Sequence, residues 1–221
     1  MQEKNIETVN FNKCTLAFME DRALLTPVMW EDVPQMQAWL QADIALSDFE
    51  TNVIHFFSKQ LSMNVLHWKE SDLSMHFIGP IFSLIGFTEK GKFNLFAQES
   101  FEANVLEDLI LTGRVDEVVA SGFRKPKLPL FAINEYKKHT DPDGDPSGQC
   151  LAAMRVGQVL NGNPDLPMYG CVIIGRNWHF ILLKGSEYTI SHDFDATVFE
   201  EACQVVRMLK QLKLYCLERT A

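Results

Sequence analysis

The chain lacks an apolar run long enough for a membrane helix. Its greasiest stretch, Phe77 to Phe87, is broken by Gly79-Pro80 and Ser83 and falls short of the roughly 20 residues a span requires. The opening residues, Met1 to Glu7, have neither the basic start nor the apolar core of a secretory signal, so neither secretion nor a membrane is expected. Positive charge is also scarce: 20 basic residues face 29 acidic ones, a net of -9. No global field draws in nucleic acid, and any polyanion must be met by a local patch. The five cysteines are odd in number, widely spaced and mostly set in apolar surroundings such as Tyr169-Gly-Cys-Val-Ile-Ile174. That usage excludes a disulfide framework and fits buried, reduced thiols in a cytoplasm. Gly-rich phosphate loops, nucleophile elbows, dinucleotide fingerprints and paired CxxC motifs are all missing, which removes support for kinase, hydrolase-triad, Rossmann oxidoreductase and zinc-finger readings. With no repeat, low-complexity tract or linker either, one domain over residues 1–221 is the economical organisation.

What is present is an ordinary globular composition, 47% hydrophobic and 22% charged, enough for one sizeable core. Of the first 50 residues nine are acidic and three basic, and about 1–46 read as an acidic helical extension. Within it, Asp32 ahead of Pro34, with Val33, Met36 and Leu40 at helical spacing, predicts a short helix to Gln41. Ser47-Asp-Phe-Glu50 reads as a capping box before a stripe of Phe49, Val53, Phe56, Phe57 and Leu61. From Met75 to Val105 short aromatic-rich runs, with Glu89-Lys-Gly91 as a turn, predict strands. Asp108 to Ala120 reads as one strand kinked near Gly113. After the basic turn Arg124-Lys-Pro-Lys127, the segment Leu130 to Lys137 is apolar on both faces at its start, as in a central strand. A helix from about Gly148 to Leu160 follows, then a hairpin of Met168 to Ile174 and Trp178 to Leu183 around a three-residue Gly175-Arg-Asn177 loop. A long helix from near Asp195 closes the chain, with Val198, Ala202, Val205, Leu209, Leu212 and Cys216 in heptad-like spacing that could pack on the sheet or support a homodimer. The order predicts an α/β fold with a mixed central sheet flanked by helices.

The sharpest chemical constellation is Asp116 followed by Glu135-Tyr136-Lys137. Residues i and i+2 of a strand project to one face, so Glu135 and Lys137 emerge together, behind Phe131 and Ile133 on the same face. If the preceding strand pairs with this one, Asp116 joins them. Two carboxylates offer hard oxygens to Mg²⁺ or Mn²⁺, and an ammonium beside them can orient a water and offset charge on a phosphoryl transition state. The bland alternative is a surface strand alternating Glu and Lys for solubility.

In these stretches the chain resembles the PD-(D/E)XK nuclease superfamily, and within it the uncharacterised bacterial nuclease-like domains related to type I restriction subunits. The resemblance runs from about Ser47 to Leu217 through Ser47-Asp-Phe-Glu-Thr51, Gly113-Arg-Val-Asp-Glu-Val-Val119, Asn134-Glu-Tyr-Lys137, Gly148-Gln-Cys-Leu-Ala-Ala-Met154 and Tyr169 to Trp178. It implies a restriction-endonuclease-like sandwich that hydrolyses DNA phosphodiesters. Asp116 and Glu135 would be metal ligands, Lys137 the water-positioning group, Gln149 a supporting residue and Glu50 the first-helix acid. Val115 stands where the signature has proline, and the superfamily includes inactive copies. The alternative is therefore a catalytically inactive module that binds a partner protein or nucleic acid.

Other residues carry two readings. Glu50 is also where a capping box wants it, and Gln149 is equally a solvated first-turn residue. Arg124, Lys125, Lys127, Lys137 and Lys138 against Glu135 make a local positive patch expected to flank the site and touch DNA phosphates, and Arg207, Lys210 and Lys213 make a second basic face. Asp141, Asp143 and Asp145 are not a calcium loop, because Pro146 and Ala152 stand where Gly and Glu are needed; capping and solvation account for them. No histidine pair has metal-ligand spacing, and only His139 is expected near the site. The Trp178-His-Phe aromatics read as core.

Overall fold

The computed structural model describes residues 6–140 and 144–220. In chain order the elements are β1 (Glu7–Asn10), α1 (Leu16–Asp21), β2 (Thr26–Pro27), α2 (Pro34–Leu40), α3 (Asp48–Asn64) and α4 (Glu70–Leu73), which continues through a π-helical turn, Ser74–Ile78, into α5 (Gly79–Ile85). Then come β3 (Phe93–Ala97), β4 (Ser100–Leu106), β5 (Leu109–Arg114), β6 (Glu117–Ser121), β7 (Lys127–Lys137) and α6 (Pro146–Asn161). The chain ends with β8 (Met168–Ile174), β9 (Asn177–Lys184), β10 (Glu187–Ile190), β11 (Phe194–Asp195) and α7 (Phe199–Glu218).

An eight-stranded sheet in the order β2-β10-β9-β8-β7-β6-β3, with β11 added to β9, forms the centre; a three-stranded sheet, β1-β5-β4, stands apart from it. The large sheet is mixed, since β7 and β8 run parallel while β6 and β7, and β8 and β9, run antiparallel. Alternation along the strands separates two apolar cores. Tyr169, Cys171, Ile173, Trp178 and Phe180 pack with residues of α2, α3, α5 and α7 on one face. Met168, Val172, Ile181 and Leu183 pack with α6 and the small sheet on the other. The architecture is thus the mixed α/β sheet flanked by helices that the element order predicts.

β7 is an interior strand, buried from Leu130 through Tyr136. Its two faces do not alternate simply: Ala132 pairs with Val119 and Leu130 with Ala120, so Phe131 is an extra, unpaired residue. This bulge sends Phe131 into the core under α3 and α7, whereas Ile133 faces α6, correcting the expectation that the two share a face. α6 lies close over β7 and β8. A Cβ on Gly148 would come 2.5 Å from Cys14 O, and one on Gly170 would come 2.5 Å from Met154 Sδ. Asp145 fixes the start of α6, its Oδ1 accepting from Gly148 N at 2.9 Å and its Oδ2 from Leu16 N at 2.8 Å. Asp141 and Asp143 lie outside the described residues.

Several other expectations change. Residues of the segment expected as strands after Met75 are helical: Phe77, Ile78, Ile81, Phe82 and Ile85 are buried at helical spacings, and Pro80 follows directly on the π-helical turn that joins α4 to α5. The capping box of α3 forms, but its buried face is Ile54, Ser58 and Leu61, leaving Phe49 and Phe56 exposed. Asp108 to Ala120 is two strands in two sheets, parted at Val115-Asp116. The β8–β9 loop is one residue shorter than expected, since Ile174 pairs with Asn177. Asp195 belongs to β11, so α7 begins four residues later, at Phe199. The region before α3 is not only helical: β1 pairs with β5, β2 pairs with β10, and Met36, Trp39 and Leu40 are buried. The apolar stripe of α7, from Ala202 through Cys216, is buried against its own sheet and helices, the packing rather than the dimer-seam reading of its heptad-like spacing. All five cysteines are buried and unpaired, and among the described residues no helix is long and apolar enough to cross a membrane.

Candidate functional site

Asp116 is aimed by the break between the two sheets. Its neighbour Val115 donates to Glu99 O and its own carbonyl accepts from Gln98 N, each at 2.9 Å, so the β3–β4 turn clamps the chain where it passes from β5 to β6. Gln98 adopts a left-handed conformation, φ 60°, to make that turn. From this bend the Asp116 carboxylate reaches over β7, where Oδ2 accepts the Tyr136 N–H at 2.7 Å.

Glu135 and Lys137 are the last inward-facing pair of β7. Lys137 Nζ lies 2.7 Å from Glu135 Oε1, and their side chains are only 14% and 10% exposed. Burial raises the Asp116 pKa, outweighing the Tyr136 N–H and the charges of Lys137 and Arg114. Burial likewise pushes Glu135 up to about 7, aided by the Asp116 charge and opposed by Lys137. For Lys137 burial works against the charged form, but Glu135, Glu70 and Asp116 overcome it and the pKa is raised. The structure thus brings Asp116, Glu135 and Lys137 within mutual electrostatic reach.

A cleft of about 370 Å³ opens at this point, lined by Glu70, Ser71, Met75, Gln98, Asp116 and Tyr136 among others. Glu70 is a participant the sequence reading missed. It opens α4, places a carboxylate oxygen 4.0 Å from Lys137 Nζ and adds to the upward shift of Glu135. Its only signal was Glu70-Ser-Asp72 at a helix start, indistinguishable from first-turn acids elsewhere.

Glu117 lines the cleft too, from the opposite face of the sheet, beside Asn134 and Tyr136. Burial lifts it to about 7, with Tyr136 and Asn134 favouring the charged form and Asp116 opposing it. The geometry nevertheless leaves Glu117 Oε2, the Asn134 amide and the Tyr136 hydroxyl without a completed hydrogen bond. A carboxyl whose folded pKa exceeds its unfolded value holds its proton more tightly in the native state. Its contribution to stability is therefore complete below the ordinary value of 4.5 and is lost as pH rises to about 7. Urea titrations should show the unfolding free energy falling over that interval, and Glu117→Gln should flatten the fall. An unchanged slope in the variant would assign the pH dependence to other groups.

The remaining sequence candidates scatter. Glu50 does not line the cleft: its carboxylate closes the α3 capping box and lies 2.6 Å from Lys210 Nζ. Although burial opposes it, Lys210 and Ser47 hold the Glu50 pKa below its ordinary value. Capping and this ion pair occupy the acid, correcting its expected place in the site. Gln149 is buried in the first turn of α6, with Nε2 against Gly144. The adjacent Cys150 thiol feels the charges of Glu135 and Asp116, so this turn abuts the carboxylates.

The exposed basic residues Arg124, Lys125 and Lys127 do not flank the site. Their turn begins β7 whereas Lys137 ends it, roughly 30 Å away at about 3.3 Å per residue. Lys138 alone of the expected phosphate contacts adjoins Lys137. On α7, Lys210 binds Glu50 and Lys213 Nζ donates to Ile85 O, so both serve the fold. His139 packs against Gly175, whose left-handed φ of 60° closes the β8–β9 turn. Trp178 and Phe180 are fully buried core residues. Compared with protein-family models and with curated proteins, the chain matches none.

Proposed function

We propose that this protein hydrolyses DNA phosphodiester bonds with Mg²⁺ or Mn²⁺, in a restriction-endonuclease-like sandwich of the PD-(D/E)XK kind, at Asp116, Glu135 and Lys137. The observation carrying this reading is a buried and a half-buried carboxylate beside an ammonium, with Asp116 on the wall of the cleft and Lys137 reached by the cleft residue Glu70. Burial disfavours charge on Asp116 and Glu135, and the Asp116 charge disfavours it further on Glu135. A hard cation would relieve both penalties.

The donor set suits such an ion. Mg²⁺ is commonly held by one or two carboxylates, with water and substrate phosphate completing its shell. Among the described residues no group of three or more His, Cys, Asp and Glu is arranged to hold a metal, which is compatible with a two-carboxylate site and not with a closed protein cage. When bound, a divalent ion supplies Lewis-acid stabilisation of charge on a phosphate oxygen. Asp116 and Glu135 would hold it. Lys137, fixed by Glu135 and Glu70, would orient an attacking water and stabilise developing negative charge. Lys138 would steady the adjacent phosphate, and the cytoplasm is the setting that buried thiols favour.

The second reading, an inactive module of the same fold, draws on one feature: the 2.7 Å pair with Lys137 already engages one oxygen of Glu135. Titration of the purified protein with Mn²⁺ separates the two, with plasmid nicking as the activity assay. We expect one saturable Mn²⁺ site that disappears in Asp116→Ala, and Mn²⁺-dependent nicking that disappears in Glu135→Ala. Identical Mn²⁺ binding, or equal nicking by all three proteins, would overturn the hydrolytic reading.

A further inference from the structure

We propose that the aromatic groove beside the cleft seats an unpaired nucleobase, so that the protein engages single-stranded DNA. This rests on the hydrolytic reading for its choice of ligand, but its test is a binding measurement independent of cleavage. The groove, of about 350 Å³, is formed by Phe56, Phe57, Gln60, Asn64, Trp68 and His76. Phe56 and Phe57 meet edge to face at 5.1 Å, and Trp68 and His76 lie 5.7 Å apart at 31°. Phe56 is 56% exposed at its wall.

Position links the groove to the site. Trp68 and His76 bracket a single short segment whose intervening residues Glu70, Ser71, Ser74 and Met75 line the cleft holding Asp116. A strand with one base in the groove therefore needs to cross only that helical turn to bring its backbone toward Lys137. Chemistry points the same way. Aromatic rings offer stacking faces to any base, while the Gln60 amide and the Asn64 amide oxygen, whose Nδ2 donates to Gln60 O at 2.8 Å, supply a donor and acceptors for a base edge. An aliphatic helix from a protein partner would use neither amide.

Charge decides between single strand and duplex. The chain is net -9 and its exposed basic turn lies at the far end of β7, so phosphate contacts alone give a duplex little purchase near the cleft. Stacking remains available only to bases that are not paired. Exposed Lys59, His67 and Lys69 adjoin the groove residues in sequence and suit a backbone passing there.

The test is fluorescence anisotropy of a labelled oligothymidylate and of a duplex of equal length, in EDTA so that nothing is cleaved. Phe56→Ala and His76→Ala are each expected to weaken single-strand binding about tenfold, the worth of one stacked base, with little change for the duplex. Because Trp68 packs partly against the core, Trp68→Phe serves as a third variant that keeps a ring there; it should retain most binding. Single-strand binding unaltered in folded Phe56→Ala and His76→Ala overturns the proposal. So does a dimer that these substitutions dissociate, since the groove would then be a contact between copies. If Asp116→Ala binds single strands normally while no protein cleaves, the hydrolytic reading fails and the groove stands. If wild type and groove variants cleave and bind single strands alike, only the groove fails.

Discussion

Lys137→Met is expected to slow metal-dependent cleavage by about a hundredfold to a thousandfold, the usual cost of removing one preorganised charge from a transition state. Methionine keeps most of the length and apolar stem, so the end of β7 should remain packed while the ammonium beside Glu135 and Glu70 is lost. The carboxylates that would hold the cation are untouched, so at a pH where Glu135 is ionised in both proteins Mn²⁺ affinity should be preserved or strengthened. That separation of turnover from metal binding distinguishes a water-positioning and charge-stabilising role from a merely structural one. A further consequence concerns pH. Lys137 lowers the Glu135 pKa against burial and the Asp116 charge; without it, Glu135 should titrate above its present value of about 7. The acidic limb of the rate profile, which records deprotonation of the carboxylates, should then move to higher pH. Wild-type cleavage by Lys137→Met, with an unmoved profile, would remove Lys137 from the chemistry.

The residues of this site were unequally legible in the sequence. Glu135 and Lys137 could be found because a strand's period of two is rigid and the apolar run before them marks a buried strand. Asp116 was found for an incomplete reason. Its segment reads as one kinked strand, whereas the carboxylate is positioned by a break at which the chain changes sheets. That break is held by Gln98 and Glu99, contacts made by a turn that local pattern does not connect to Asp116. Glu70 was invisible because no local pattern assigned the segment before Met75, and the residues after it read as strands. Gly79-Pro80 suggested a breaker, and the buried spacing that reveals the helix is spread across a π-helical turn. Glu50 illustrates the opposite case. Its capping role was written locally in Ser47 and Glu50, while its link to Lys210 depends on α3 and α7 meeting. The basic turn could be read as a turn, but not its distance from the site: that follows from the full length and direction of β7.

Trp39→Ala is expected to cost about 3–5 kcal/mol of stability, the range for deleting a large aromatic from a packed core. Trp39 is fully buried; its ring meets Tyr169 edge-on at 4.9 Å and Phe180 at 5.1 Å. Its indole N–H also donates to Met208 O at 2.9 Å, tying α2 to α7. Alanine therefore leaves a cavity between helix and sheet and removes the bond from the Met208 carbonyl. Nearby, Gln204 donates to Leu40 O and Ala42 O, so loss of the α2 anchor should not be confined to one side chain. The urea midpoint should fall accordingly. At urea concentrations where the variant is still folded, Mn²⁺ binding should match wild type, because neither Trp39 nor its ring partners line the cleft. An unchanged midpoint would mean that the region before α3 contributes nothing to the core. The expected fall would instead identify it as part of the core that holds the central sheet, and thereby the end of β7, in place.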